Sequence, residues 1–150
     1  MANIVPYAFK GELMSGTHNF SAGGNTFFLA LYTSNPYAAA SSTAYVTTNE
    51  VSSGGGSNYS AGGKQLQNQS VDSSTATTAV DFDNLTWGAA TTGAATFGAA
   101  FAAIYNSTNS NKLVVVLDFG GTKTATNGDF TIAFPSPATP ANAILSLSSS

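Results

Sequence analysis

Residue types that support catalysis or metal binding are few in this chain, and their spacing matches no catalytic pattern. His18 is the only histidine, and no cysteine is present to share a metal ion with it. Imidazole commonly acts as a general base or a metal ligand. Because no second histidine accompanies His18, we expect a polar structural residue near a helix end rather than a catalytic group.

Two aspartates, Asp81 and Asp83, form the closest pair of carboxylates. On a β-strand, residues i and i+2 share a face, so this pair could bind one cation. The Asn, Asp and Glu ligands that complete a calcium loop do not follow. We therefore expect Phe82 to point into the core while both acids face water. Carboxylates this close in sequence also make a poor acid–base pair for a wall hydrolase.

Glycine-rich segments could bind phosphate, and residues 120–124 (GGTKT) superficially resemble the end of a P-loop. Val116 stands where the first glycine of that motif belongs, so we expect a hairpin there instead. The sequence thus yields no catalytic, cofactor-binding or metal-ligating residue. It predicts a protein that is not an enzyme and needs no cofactor.

Composition narrows the classes of partner. The 150 residues include four lysines, no arginine and seven acids, a net charge of −3. Nucleic-acid binding needs many basic side chains, so it is not expected. No apolar run approaches the roughly 18 residues of a membrane helix, and residues 1–10 lack the basic start and long apolar run that are typical of a signal peptide. We expect a soluble protein made in the cytoplasm, with a surface dominated by 19 serines and 19 threonines.

Short apolar segments separated by Gly, Asn and Pro predict an all-β fold, an antiparallel β-sandwich or barrel-like domain with one short N-terminal helix. We expect a single domain over residues 1–150, with 1–7 as a partner-docking arm and 148–150 as a short polar tail. The helix is predicted within Ala8–His18. The predicted strands are Thr26–Tyr32, Lys64–Ser70, Ala79–Phe82, Lys112–Phe119, Phe130–Phe134 and Ile144–Leu147.

The sequence does not decide between helix and strand for one segment, and it predicts a turn at another. Residues Ala94–Tyr105 fit helical spacing and also alternate as a strand does, so periodicity alone does not decide between them. Asn127-Gly128 favours the positive φ angles of a tight hairpin.

Several motifs follow one another along the chain: Ala30–Ser34 (ALYTS), Thr48–Val51 (TNEV), Asn58–Leu66 (NYSAGGKQL), Asp81–Trp87 (DFDNLTW), Ala95–Asn106 and Leu117–Phe134. In this ordered set, over residues 7 to 147, the chain resembles small virion proteins of tailed bacteriophages.

The resemblance implies a noncatalytic virion component, above all a capsid decoration or cement protein that binds across neighbouring major capsid subunits and stabilises the head. It also favours a strand for Phe97–Tyr105. Binding must offset the lost rigid-body freedom of each protomer, so we expect self-association, as a homotrimer suited to local threefold positions. The alternative is a tail- or head-fibre module that recognises host-surface glycans through exposed Tyr and Trp rings.

Overall fold

A computed structural model describes residues 3–37, 41–136 and 142–148. Its elements confirm the all-β prediction with a single short helix, and this helix is far too short to cross a membrane. The elements are α1 (Tyr7–Met14), β1 (Phe27–Tyr32), β2 (Lys64–Gln65), β3 (Ser70–Asp72), β4 (Thr77–Asp81), β5 (Leu85–Trp87), β6 (Ala95–Asn106), β7 (Lys112–Gly128), β8 (Phe130–Ile132) and β9 (Leu145–Ser148).

Helix α1 is shorter than the predicted segment because a glycine ends it. Pro6 precedes the helix in extended geometry, and the Ser15 N–H still donates to the Gly11 carbonyl. Gly16 then takes a left-handed φ of 76°, which stops the helix. Within α1 only the Phe9 side chain is buried, so the helix contacts the sheets along a narrow stripe.

The largest sheet is antiparallel, with strand order β2-β1-β6-β7. Strand β1 lies centrally between β2 and β6, as its nearly continuous apolar sequence predicts. Segment β6 is a strand of 12 residues, which confirms the interpretation favoured by the resemblance. It pairs with β7 from Asn106 opposite Lys112 to Ala95 opposite Gly128.

Strand β7 differs from the prediction, because it does not end near Phe119. It continues to Gly128 through Gly120 and Gly121, whose φ angles are 70° and 134°. No hairpin forms at residues 120–124 or at Asn127-Gly128, so both hairpin predictions are wrong, although Asn127 has the expected positive φ, at 49°. Strand β6 pairs with β7 up to Asp118 and again from Lys123, with a register shift between these two stretches. The pairing on both sides of the glycines keeps β7 in the large sheet, and β8 pairs with β5 instead.

Two smaller sheets complete the fold: β3-β4-β9, and β5 with β8. The predicted strand Lys64–Ser70 is divided into β2 and the start of β3, because Asn68 between them has a left-handed φ of 51°. The buried residues of the main core come from the large sheet, the β5-β8 sheet, α1 and segments between strands, and Val80 and Leu145 of the third sheet pack against them. The buried residues include Phe27, Leu29, Phe82, Trp87, Phe97 and Leu117.

The start of the chain contacts the protein's own sheet. Ile4 and Val116 exchange two backbone hydrogen bonds of 2.8 Å, and Val5 packs on the main core. Docking of residues 1–7 onto a partner stays a prediction. Met1 and Ala2 lie outside the described residues, as do Ser149 and Ser150 of the predicted tail.

Candidate functional site: an open apolar groove

His18 has both ring nitrogens bound inside the protein. Its Nε2 lies 3.0 Å from a Glu12 carboxylate oxygen, and its Nδ1 lies 3.0 Å from Asn106 Nδ2. Backbone N–H groups of Thr108 and Asn109 donate to Asn106 Oδ1, which fixes the amide with its NH₂ group towards His18. Nδ1 is therefore the acceptor, and Nε2 carries the proton that is donated to Glu12.

The same cluster contains an ion pair between Glu12 and Lys112, with Nζ and Oε1 2.5 Å apart. Burial of Glu12 opposes its ionisation, but hydrogen bonds from Lys112 and His18 outweigh that cost and hold its pKa below the ordinary value. These contacts join α1 to the turn between β6 and β7. The structure thus gives His18 a positioning role close to the predicted one.

The paired aspartates do not form a convergent site. Phe82 is buried as predicted, Asp81 is half-buried, and Asp83 is exposed. Asp83 accepts a hydrogen bond of 2.6 Å from Asn68 Nδ2. Within the described residues, no group of three or more His, Asp or Glu side chains is arranged to hold a metal ion.

Aromatic side chains that could stack on a sugar are distributed unequally between core and surface. Trp87 is fully buried against Tyr59, Phe97 and Phe130, so it offers no platform. Among the described aromatic side chains, Tyr7 alone is mostly exposed to solvent, at 70%.

Glu50, part of the TNEV motif, organises a cluster of tyrosines. The phenols of Tyr45 and Tyr59 each donate to its carboxylate at 2.7 Å, and the Gly62 N–H donates at the same distance. Burial raises the pKa of Tyr59, and it raises the pKa of Tyr105 to about 12. The phenols therefore stay protonated near neutral pH and act as hydrogen-bond donors that tie the loops around residues 45–63 to the large sheet.

A large open groove of about 990 Å³ lies between α1 and the β3-β4-β9 sheet. It is the surface that sequence reasoning did not identify, because its walls come from distant parts of the chain. Side chains of Phe9, Leu13, Met14 and Phe20 form the helix side of the groove. Side chains of Val71, Val80, Leu145 and Leu147 form the sheet side.

Strand register explains why this face of the small sheet is apolar. Val71 lies opposite Val80, and Val80 lies opposite Leu145, so the three share one face. Leu147 follows two residues after Leu145 on that same face. The alternation of leucine and serine in β9 thus places leucines towards the groove.

Several side chains at the groove remain exposed to solvent. Met14 is 93% exposed, Leu147 64% and Val71 46%. The groove carries little free charge. Among its lining residues the one lysine is Lys10, and His18 is already paired with Glu12. The groove therefore presents apolar contact area with little charge, which suits binding to an apolar segment of another molecule.

Comparison with known proteins gave no match to a family model, to a curated protein or to a solved structure. The resemblance to phage virion proteins therefore stays a prediction from the sequence motifs.

Proposed function

We propose that the protein is a noncatalytic structural component of a tailed-bacteriophage virion, a capsid decoration or cement protein that binds across neighbouring major capsid subunits and stabilises the head. The observation that carries this proposal, beside the ordered motifs, is the exposed apolar groove between α1 and the β3-β4-β9 sheet. The protein would be made in the host cytoplasm and act on the outer capsid surface.

The groove supports binding because its exposed side chains gain free energy when water leaves them. Fully burying a Leu or Met side chain contributes about 1.5–3 kcal/mol. Met14 and Leu147 are mostly exposed and could realise much of that value in a complex. Around them the surface offers neutral hydroxyls and amides, whose desolvation costs less than that of charges.

Self-association would strengthen this attachment. Association costs about 4–15 kcal/mol in rigid-body freedom, which a few apolar anchors offset only narrowly. Linking several copies lets one assembly hold several capsid subunits at once, so the contacts reinforce one another. The homotrimer expected from the sequence analysis would supply such linkage.

The proposal is tested by adding purified protein to expanded capsids that lack it. The wild type should bind up to a copy number set by the lattice and raise the temperature at which the shells open. Met14→Lys places a charge in the groove and should weaken this binding. Val46→Lys is the matched control, because Val46 is also an exposed apolar residue but lies outside the groove. Equal binding by wild type and both variants would contradict a role for the groove, and no binding by the wild type would contradict the proposed function.

One observation favours a second candidate, the fibre-associated module that binds host glycans. Tyr7 is 70% exposed, and the Lys10 ammonium lies 5.7 Å from its ring centroid. A ring in this setting can stack on the apolar face of a sugar. Loss of cell or glycan-array binding in Tyr7→Ala, with capsid addition unaffected, would support this candidate over the first.

A further inference from the structure

In the part of the chain that the structure describes, strand β9 lies at the edge of the β3-β4-β9 sheet. Within the described residues it has a hydrogen-bonded neighbour on one side only, β4. Soluble proteins shield such edges with charged residues, prolines, bulges or covering segments, because an open edge recruits other strands. Residues Leu145–Ser148 (LSLS) carry neither charge nor proline, and Leu147 is 64% exposed.

We infer that β9 is a self-association site, at which it pairs antiparallel with β9 of a second copy across a twofold axis. The two small sheets would join into one of six strands, in the order β3-β4-β9-β9-β4-β3. The two apolar grooves would then lie side by side on one face. This inference does not depend on the proposed place in a virion.

The sequence of β9 selects one register for this pairing. Groove-facing residues must meet groove-facing residues, because a shift by one residue turns every side chain to the other face. Placing Ser146 opposite Ser146 of the second copy brings each Leu145 opposite Leu147. A shift by two residues in either direction leaves one leucine pair instead of two. Cross-strand apolar pairs stabilise a sheet, so the Ser146-centred register is favoured.

Charge distinguishes β9 from the other edge of the same sheet. Strand β3 contains Asp72, so pairing of β3 with itself would bring two carboxylates near each other. Two copies of β9 meet without any charge, and Lys10 on the far wall of the groove is the nearest lysine among the lining residues. An uncharged, self-complementary strand therefore fits a second copy of this chain better than a charged partner.

The contact is small, since four residues from each copy form its centre. It falls below the size of a standard stable interface and belongs with weak contacts that become effective when copies are held close together. A contact across a twofold axis cannot be one of the contacts that close a threefold ring. If the homotrimer forms, pairing through β9 would join one trimer to the next.

The absence of cysteine allows a clean trapping experiment on the full chain. In the inferred register the two Ser146 Cα atoms lie about 4.5–5.5 Å apart, within the range that a disulfide bridges. Ser146→Cys should therefore yield a reducible covalent dimer under mild oxidation. Ser148→Cys is the matched control, because both serines are exposed on the same strand. Its two copies would be separated by about 13 Å, too far for a disulfide.

A second variant tests whether trapping depends on the leucine pairs. Leu147→Lys in the Ser146→Cys background should abolish the trapped dimer, because it places a charge at each leucine pair. Val46→Lys in the same background should leave the dimer yield unchanged. Absence of a dimer from Ser146→Cys, equal yields from Ser146→Cys and Ser148→Cys, or full trapping despite Leu147→Lys would overturn the inference. Because capsid addition is tested through Met14, these results leave the proposed function to be decided separately.

Discussion

Replacing Asn106 with alanine would remove the amide that connects His18 to the turn between β6 and β7. The Asn106 side chain is fully buried. Its NH₂ group donates to His18 Nδ1 at 3.0 Å and to Asn25 Oδ1 at 2.9 Å, while its oxygen accepts from two backbone N–H groups of the turn. This substitution tests whether the polar cluster fixes α1, which forms one wall of the groove.

The magnitude follows from the groups that lose their partners. His18 Nδ1 would be left buried without a donor, which costs about 1–3 kcal/mol. The two N–H groups lie nearer to solvent, so each loses a hydrogen bond with a net value of about 0.5–1.5 kcal/mol at most. We expect Asn106→Ala to lower the free energy of unfolding by about 3 kcal/mol. For a chain of this size, that loss lowers Tm by roughly 6–12 °C.

Urea unfolding followed by fluorescence would measure the change, because Trp87 is the only tryptophan and is fully buried. Asn142→Ala is the control, since Asn142 is exposed and its replacement should change stability by no more than about 0.5 kcal/mol. A loss below about 1 kcal/mol in Asn106→Ala would refute the reasoning, because it would mean that His18 finds another partner at little cost.

Two further substitutions test the packing and the electrostatics of the fold. A Cβ on Gly63 would lie 1.9 Å from the Leu29 carbonyl oxygen, at a φ of 78°. Gly63→Ala should therefore cost about 3 kcal/mol in urea unfolding, and an unchanged midpoint would contradict this close approach. Glu12→Gln should cost about 1–2 kcal/mol near pH 7, because it removes the ion pair with the partly exposed Lys112. Since folding lowers the pKa of Glu12, its contribution is complete above the ordinary value of 4.5 and is lost as pH falls through the folded-state pKa. Wild type and Glu12→Gln should thus converge in stability in acid, and a constant difference down to pH 2 would contradict this.

Local sequence patterns predicted some of the strands whose side chains pack the core, but they left β6 undecided and did not identify β5. Strand β1 and the first half of β7 were evident from their apolar runs, and the predicted strand Ile144–Leu147 overlaps β9. The length of β7 was not evident, because Gly120-Gly121 is a strong turn signal. Pairing with the long strand β6 on both sides of these glycines, up to Asp118 and again from Lys123, keeps β7 in the large sheet. This pairing is a tertiary effect that a local pattern does not contain.

The groove could not be predicted for a similar reason. Met14, Val71 and Leu147 are far apart in sequence, and the fold alone brings them to one surface. His18 was recognised as a polar structural residue, but its partner Asn106 is 88 residues away. Glu50 lay within a recognised motif, yet its role as acceptor for two phenols depends on how the loops around it fold.

Cryo-electron microscopy of intact particles tests most directly whether the protein holds capsid subunits together. We predict ordered density for the chain on the outside of the head, at every equivalent lattice position and in contact with at least two capsid subunits. The groove between α1 and β9 should face the shell or a neighbouring copy. Absence of the protein from mature particles, or its presence only on tail or fibre structures, would contradict the account.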